Sequence, residues 1–93
     1  MRPSPLPRHA LMKKILVIED EQKVTAFLKS GLEEKAYEVD VAYDGYTGEK
    51  LALSRDYQVI LLDVIIPHMN GIELCRKIKQ AKPSVPILML TAL

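Results

Sequence analysis

Residues 60–71, ILLDVIIPHMNG, decide the fold. The aliphatic run 59–62 has no polar alternation, which is typical of a strand buried on both faces, and it leads into Asp63. An ionised carboxylate is costly to bury alone, so Asp63 is expected at an opening and in the company of other polar groups. Pro67 prevents the strand from continuing as a central strand, and Asn70 with Gly71 predicts a turn, so a loop is expected at 64–71.

Three more strands and three helices are predicted on either side of this stretch. KKILVIED (13–20) and the run 86–91 are apolar, and YEVDVA (37–42) alternates. Helices are predicted within 21–38, 46–56 and 72–82 from apolar residues at helical spacing. The expected core face of the first helix is Val24, Phe27, Leu28 and Leu32. Strands that alternate with helices predict an α/β fold with a doubly wound parallel sheet.

The carboxyl ends of the predicted strands carry polar side chains. The first strand ends at Glu19 and Asp20, the third at Asp63 and the fourth at Thr91. Parallel strands bring these ends to one edge of the sheet, where α/β proteins bind ligands. Clustered carboxylates repel one another, raise a pKa and favour a hard cation such as Mg²⁺. A carboxylate beside such an ion can attack a phosphoryl donor and become an acyl phosphate.

Simpler interpretations exist for each of these residues taken singly. Asp63 alone is typical of a turn or a helix cap, Glu19 and Asp20 could cap the first helix, and Thr91 could be an ordinary strand residue. Only the joint pattern favours a functional site. His68 lies in the loop after Asp63, and without a cysteine pair or a second histidine nearby it does not predict zinc.

Composition narrows the class of protein. The chain has 93 residues and a net charge of +1, which gives no indication of a nucleic-acid or membrane-surface protein. No apolar run approaches the length of a membrane helix, and Cys75 is the single cysteine, which fits a reducing, cytoplasmic compartment. Residues 1–11 are rich in proline and arginine and are expected to be a disordered tail or a non-native extension, with the domain at 12–93.

The motifs KKILVIEDE, ILLDVIIPHMNGIELCRKIK and VPILMLTAL together resemble the receiver domain of bacterial two-component response regulators. Among its subfamilies the chain is most similar to the winged-helix transcription regulators. The resemblance implies a flavodoxin-like fold with strand order 2-1-3-4-5 and a Mg²⁺ cofactor. It also implies a histidine kinase as phosphoryl donor, and a phosphoacceptor domain instead of an enzyme with turnover.

The resemblance assigns roles by position. Asp63 matches the phosphoacceptor, Asp20 and Glu19 match the metal-binding acids, and Ile65 matches the residue whose backbone carbonyl completes the metal site. Thr91 matches the switch hydroxyl that moves to the phosphoryl group. Pro67 and Gly71 match the loop that shapes the pocket.

The chain departs from the family after the fourth strand. A fourth helix, a fifth strand with its lysine and a fifth helix have no counterpart, nor has a DNA-binding domain, so a partial receiver with an exposed, apolar fourth strand is expected. Self-association through that strand is one expectation, and DNA binding is expected only from a domain outside these residues. Two alternatives remain open: a pseudo-receiver that is not phosphorylated, and a phosphotransferase of the haloacid dehalogenase type. The second needs another aspartate where Ile65 stands.

Overall fold

The computed structural model describes residues 13–90 of the chain. The order of elements predicted from the sequence is confirmed, with an added hairpin after the third strand. The strands are β1 (Lys14–Ile18), β2 (Glu38–Ala42), β3 (Val59–Asp63), β4 (Ile65–Ile66), β5 (Met69–Asn70) and β6 (Ile87–Leu90). The helices are α1 (Gln22–Glu34), α2 (Gly45–Ser54) and α3 (Gly71–Ala81). The predicted tail, 1–11, and Thr91 lie outside the described residues.

Four strands form a parallel sheet in the order β2-β1-β3-β6. The doubly wound parallel α/β sheet predicted from the sequence is therefore confirmed, and its strand order matches the first four strands of the flavodoxin-like order 2-1-3-4-5 that the resemblance implies. The expectation of an irregular loop at 64–71 is wrong, because β4 and β5 pair antiparallel on either side of Pro67 and His68. The central strand β3 already ends at Asp63, and Pro67 lies in the turn of the separate small hairpin that follows.

Each face of the sheet has its own apolar layer. On one face β1 and β3 pack with α2 and α3 in the larger cluster, whose buried members include Leu16, Ile60 and Leu74. On the other face Ile15, Val17 and Leu61 are buried, with side chains of α1 packed against them. No helix of the described residues is long and apolar enough to cross a membrane.

The side of α1 that faces the sheet differs from the prediction. Leu28 and Leu32 pack against the sheet as expected, but Phe27 is 68% exposed and Thr25 is buried in the interior. Thr25 can be buried because its hydroxyl donates to the carbonyl of Gln22 at 2.9 Å. The residue is thus satisfied within its own helix, and the helix turns so that Phe27 points away from the sheet.

Candidate metal and phosphoryl-acceptor site

Two neighbouring parallel strands bring the three predicted acids together. Glu19 and Asp20 follow β1 directly, Asp63 is the last residue of β3, and these strands pair side by side. One carboxylate oxygen from each of the three residues lies within 4.8 Å of the other two. Glu19 and Asp63 are buried and Asp20 is exposed. The predicted convergence is therefore confirmed for the three acids, while Thr91, the fourth predicted member, lies outside the described residues.

Glu19 is held in place by the start of α1. Its Oε1 accepts a hydrogen bond of 3.0 Å from the backbone N–H of Glu21, the residue that precedes the helix. Glu21 itself makes no side-chain cap. The contact satisfies one of the free N–H groups near the helix start and fixes the Glu19 carboxylate beside Asp63.

The electrostatics of the site disfavour the simultaneous ionisation of all three carboxyl groups. Burial raises the pKa of Glu19, and so do its hydrogen bond with Asp63 and the charges of Asp63 and Asp20, while the Glu21 N–H lowers it; the resulting pKa is about 7. The site therefore retains a proton near neutral pH when no cation is bound. This is the raised pKa that a carboxylate cluster predicts.

The oxygens have the chemistry and the spacing that Mg²⁺ needs. Oxygen ligands at about 2.1 Å from Mg²⁺ lie about 3 to 4 Å from one another, so small side-chain rotations would bring the three carboxylates into its shell. A cavity of about 470 Å³ opens beside the acids and leaves room for waters and a phosphoryl group. It is lined by Glu19, Asp20, Glu21, Val24, Leu28, Asp63, Ile65 and Leu90.

The hairpin that follows β3 contacts the acid cluster through its backbone. The N–H of Ile65 donates to Asp63 Oδ1 at 3.2 Å, and the Ile65 side chain is 68% exposed at the edge of the cavity. Pro67 is exposed in the turn of the hairpin. Pro67 is not among the residues that line the cavity, whereas Ile65 lines it and donates to Asp63 directly.

Gly71 begins α3 and lies against the backbone that leaves β3. Its N–H donates to the carbonyl of Val64 at 3.2 Å. A β-carbon at this position would lie 2.6 Å from that oxygen and 2.7 Å from the carbonyl oxygen of Asp63. Its φ is not positive. Gly71 is therefore needed for close approach to Asp63, and the turn that the sequence predicted is not the reason.

The structure bears differently on the hydroxyl and the lysines that could contact a phosphoryl group. Thr91 lies outside the described residues and stays a prediction. Two lysines at the end of α3 do not reach the acids: Lys79 donates to the carbonyls of Pro83 and Val85, and Lys82, just after the helix, donates to the carbonyl of Arg55. All three bonds lie at the opposite end of the molecule.

Sequence reasoning missed the hydrophobic residues beside the acids. Val24, Leu28 and Leu90 line the same cavity as the carboxylates. The sequence predicts Val24 and Leu28 as core residues of the first helix, and no local pattern indicates that they line the site. Their position becomes visible only when α1 is placed over the sheet.

A parallel sheet of this order with three acids at the carboxyl ends of β1 and β3 defines a receiver-type α/β domain. The chain belongs to the response regulator receiver domain family, whose model matches residues 15–93. It is 47% identical over 81 residues to the response regulator ArlR of Staphylococcus saprophyticus, and equally identical to that of Staphylococcus aureus. These matches cover 87% of the chain and 36% of each relative, so the chain spans about a third of their length.

Solved receiver structures share the fold. A response regulator receiver domain protein from Methanospirillum hungatei superposes with a TM-score of 0.85 at 28% identity, over 88% of this chain and 66% of that one. The Thermotoga maritima response regulator TrrA, in complex with Mg²⁺-BeF, has a TM-score of 0.84 at 36% identity, over 88% and 71%. TrrA in complex with the histidine kinase ThkA gives 0.81 at 37%, over 87% and 70%.

Proposed function

We propose that the chain is a phosphoacceptor module of a two-component system, which takes a phosphoryl group from a histidine kinase onto Asp63 in a Mg²⁺-dependent reaction. The observation that carries the proposal is the meeting of Glu19, Asp20 and Asp63 within 4.8 Å at one edge of the sheet. The proposed role is that of an acceptor and not of an enzyme with turnover.

The proposed ligands of Mg²⁺ are the carboxylates of Glu19, Asp20 and Asp63 and the backbone carbonyl of Ile65. Bound Mg²⁺ would spread the negative charge of the transferring group. Thr91 is proposed to hydrogen-bond the phosphoryl oxygens. Pro67 and Gly71 are proposed to shape the loop beside the acceptor, Gly71 by letting α3 approach Asp63.

The chemistry asked of the protein is a single displacement. One oxygen of Asp63 forms a bond to phosphorus as the bond from phosphorus to the donor imidazole nitrogen breaks, and the electron pair stays on that nitrogen. Asp63 must be ionised to attack. Bound Mg²⁺ would offset the negative charges of Glu19 and Asp20 beside the attacking carboxylate.

The rim of the cavity supports a protein as phosphoryl donor. Asp63 is 6% exposed, so a donor side chain must enter the cavity while its backbone contacts the rim. Two rim residues, Val24 and Ile65, are exposed and apolar, which suits a partner surface. The complex of TrrA with ThkA is a relative's example of such a pair.

The test is the intact mass of the protein after incubation with acetyl phosphate, with and without Mg²⁺. The wild-type chain is expected to gain one phosphoryl group only when Mg²⁺ is present, because the charge of the transferring group needs a cation. Asp63→Asn keeps the size and hydrogen-bonding capacity of the side chain and is expected to gain none.

Two outcomes would contradict the proposal. A folded sample that gains no phosphoryl group under either condition would support the pseudo-receiver. A gain that persists in Asp63→Asn would place the acceptor elsewhere.

We also propose self-association through β6. In the described residues β6 pairs with β3 along one side only, and Leu88 on this strand is 57% exposed. An exposed apolar edge strand favours pairing with another chain. Sedimentation velocity over a range of concentrations should show dimers that Leu88→Lys removes, because a charge on an edge strand opposes pairing. A folded monomer at high concentration would contradict this proposal.

The wider setting is proposed on the same basis. The family model that matches this chain describes a receiver domain. DNA is therefore a proposed partner only of a separate domain in a longer transcription regulator of the winged-helix subfamily. The proposed compartment is the cytoplasm, where a cytoplasmic histidine kinase domain would meet the chain.

A further inference from the structure

The first residue of α2 lies against the hairpin that follows Asp63. A β-carbon at Gly45 would lie 2.8 Å from Cβ of Met69, 3.0 Å from its Sδ and 3.1 Å from Cδ1 of Ile66. Gly45 is buried and has no positive φ. The position therefore needs glycine for space, so that helix and hairpin can touch.

This contact bears on the backbone of the hairpin. The Cβ atom of Met69 cannot swing aside as the end of a flexible side chain can, because it is fixed to β5. Met69 pairs with Ile66, and Ile65 pairs with Asn70, so a shift of β5 passes to β4. The N–H of Ile65 on β4 donates to Asp63 Oδ1. A chain of three direct contacts thus joins α2 to the carboxylate.

The helix side of the contact is fixed independently of the hairpin. Asp44 precedes α2, and its Oδ1 accepts from the N–H of Thr47 at 2.8 Å while its Oδ2 accepts from the Thr47 hydroxyl at 3.1 Å. These capping hydrogen bonds stabilise the first turn of α2, which contains Gly45. The hairpin has two residue pairs and therefore little rigidity of its own.

We propose that Gly45 and Met69 are positioning residues for Asp63, acting through the N–H of Ile65. Their contact sets how far the hairpin stands from α2, and the hairpin in turn sets the direction of the Asp63 carboxylate relative to Glu19. The inference rests on the proposed function, because it gives α2 a part in assembling the Mg²⁺ and phosphoryl site.

A double-mutant cycle tests the contact. Gly45→Ala adds a methyl group at the contact, Met69→Gly removes the atom it would meet, and the double variant carries both changes. Each variant is measured well below its melting temperature. The two readouts are the hydrogen-exchange rate of the Ile65 amide in metal-free protein and the dissociation constant for Mg²⁺ alone.

Gly45→Ala is expected to speed exchange of the Ile65 amide and to weaken Mg²⁺ binding by about tenfold, the usual size of an effect on the partners of metal ligands. In the Met69→Gly background, Gly45→Ala has no Met69 side chain to meet, so it is expected to change neither readout by more than about twofold. The effects of the two substitutions are then non-additive, as expected for residues in contact. Met69→Gly by itself is expected to speed exchange too, which keeps the test valid should Gly45→Ala not fold.

The chain provides two matched glycine controls. A β-carbon at Gly31 meets nothing within 4 Å, so Gly31→Ala should leave both readouts unchanged. A β-carbon at Gly48, also in α2, would lie 2.7 Å from Ile18 Cδ1 in the core. Gly48→Ala should therefore lower the melting temperature while the Ile65 exchange rate changes far less than in Gly45→Ala.

The inference is overturned if Gly45→Ala and Gly48→Ala change Ile65 exchange equally, or if Gly45→Ala has the same effect with and without the Met69 side chain. Failure of the proposed function looks different. In that case wild-type protein binds no Mg²⁺, and exchange of the Ile65 amide in metal-free protein still decides whether the contact positions the hairpin.

Discussion

Gly71→Ala is expected to lower the free energy of unfolding by about 3 kcal/mol, the upper part of the range for overpacking. The added β-carbon would meet three backbone atoms at 2.6 to 2.8 Å: the carbonyl oxygens of Val64 and Asp63 and the Cα of Val64. None of these can rotate away as a side chain can. Either α3 moves outward or the backbone after β3 shifts, and both weaken the packing of Leu74 in the core.

Urea unfolding of Gly71→Ala beside Gly31→Ala measures this cost. Both variants make the same chemical change at a helical glycine, but Gly31 faces open space. Gly31→Ala is expected to raise stability by about 0.5 to 1 kcal/mol, because alanine is the better helix former. Equal stabilities for the two variants would show that the close approach of α3 to Asp63 costs nothing to disturb.

The same substitution is expected to damage the acid cluster. The backbone displaced by Gly71→Ala belongs to Asp63 itself, so its carboxylate should move relative to Glu19 and Asp20. The rise in melting temperature on addition of Mg²⁺ reports binding to the folded state. This rise should be clear in wild-type protein and Gly31→Ala and largely lost in Gly71→Ala.

The glycines show where local sequence stops being informative. The sequence predicts a turn at Asn70 and Gly71, the family resemblance assigns Gly71 to the loop that shapes the pocket, and Gly48 simply lies within the predicted second helix. In the structure both allow a helix to approach atoms of another element or of the segment between elements, Val64 for Gly71 and Ile18 for Gly48. A residue's neighbours along the chain predict its conformation. They do not predict which atom of another element comes within 3 Å.

The acids were predictable for the opposite reason. Glu19, Asp20 and Asp63 each end a strand, and parallel strands must share an edge, so order along the chain fixes proximity in space. Helix orientation is less constrained. Phe27 and Thr25 point in different directions around α1. Whichever of the two faces the sheet, some apolar residues of the helix face it as well. Hydrophobicity favoured Phe27, whereas the structure buries Thr25, whose hydroxyl is satisfied by the carbonyl of Gln22 in its own helix.

Glu19→Gln is expected to stabilise the metal-free protein at alkaline pH while weakening Mg²⁺ binding. Folding raises the pKa of Glu19 from 4.5 to about 7, because burial and contact with Asp63 oppose its ionisation. The folded state therefore holds more protons than the unfolded state between these values. Stability then falls as pH rises through this window, by roughly 3 kcal/mol at about 1.4 kcal/mol per pKa unit, and the loss is complete about one pH unit above the folded-state pKa.

Glutamine keeps the oxygen that accepts from the Glu21 N–H but cannot ionise, so Glu19→Gln should not show this loss. Urea unfolding at pH 5 and pH 8 in the presence of a chelator measures the difference. The advantage of Glu19→Gln over wild type should grow from pH 5 to pH 8. Glu33→Gln, at an exposed carboxylate on α1, should show no such trend.

Mg²⁺ should reduce the stability advantage of Glu19→Gln over wild type at pH 8. The cation stabilises the ionised Glu19 carboxylate that burial and Asp63 disfavour, so wild-type protein should gain more stability from Mg²⁺ than Glu19→Gln does. If Glu19→Gln is more stable than wild type without Mg²⁺ and gains less stability from it, then the Glu19 carboxylate lowers the stability of the metal-free protein and strengthens cation binding. An advantage of the same size at pH 5 and pH 8 would mean that Glu19 does not titrate in this window.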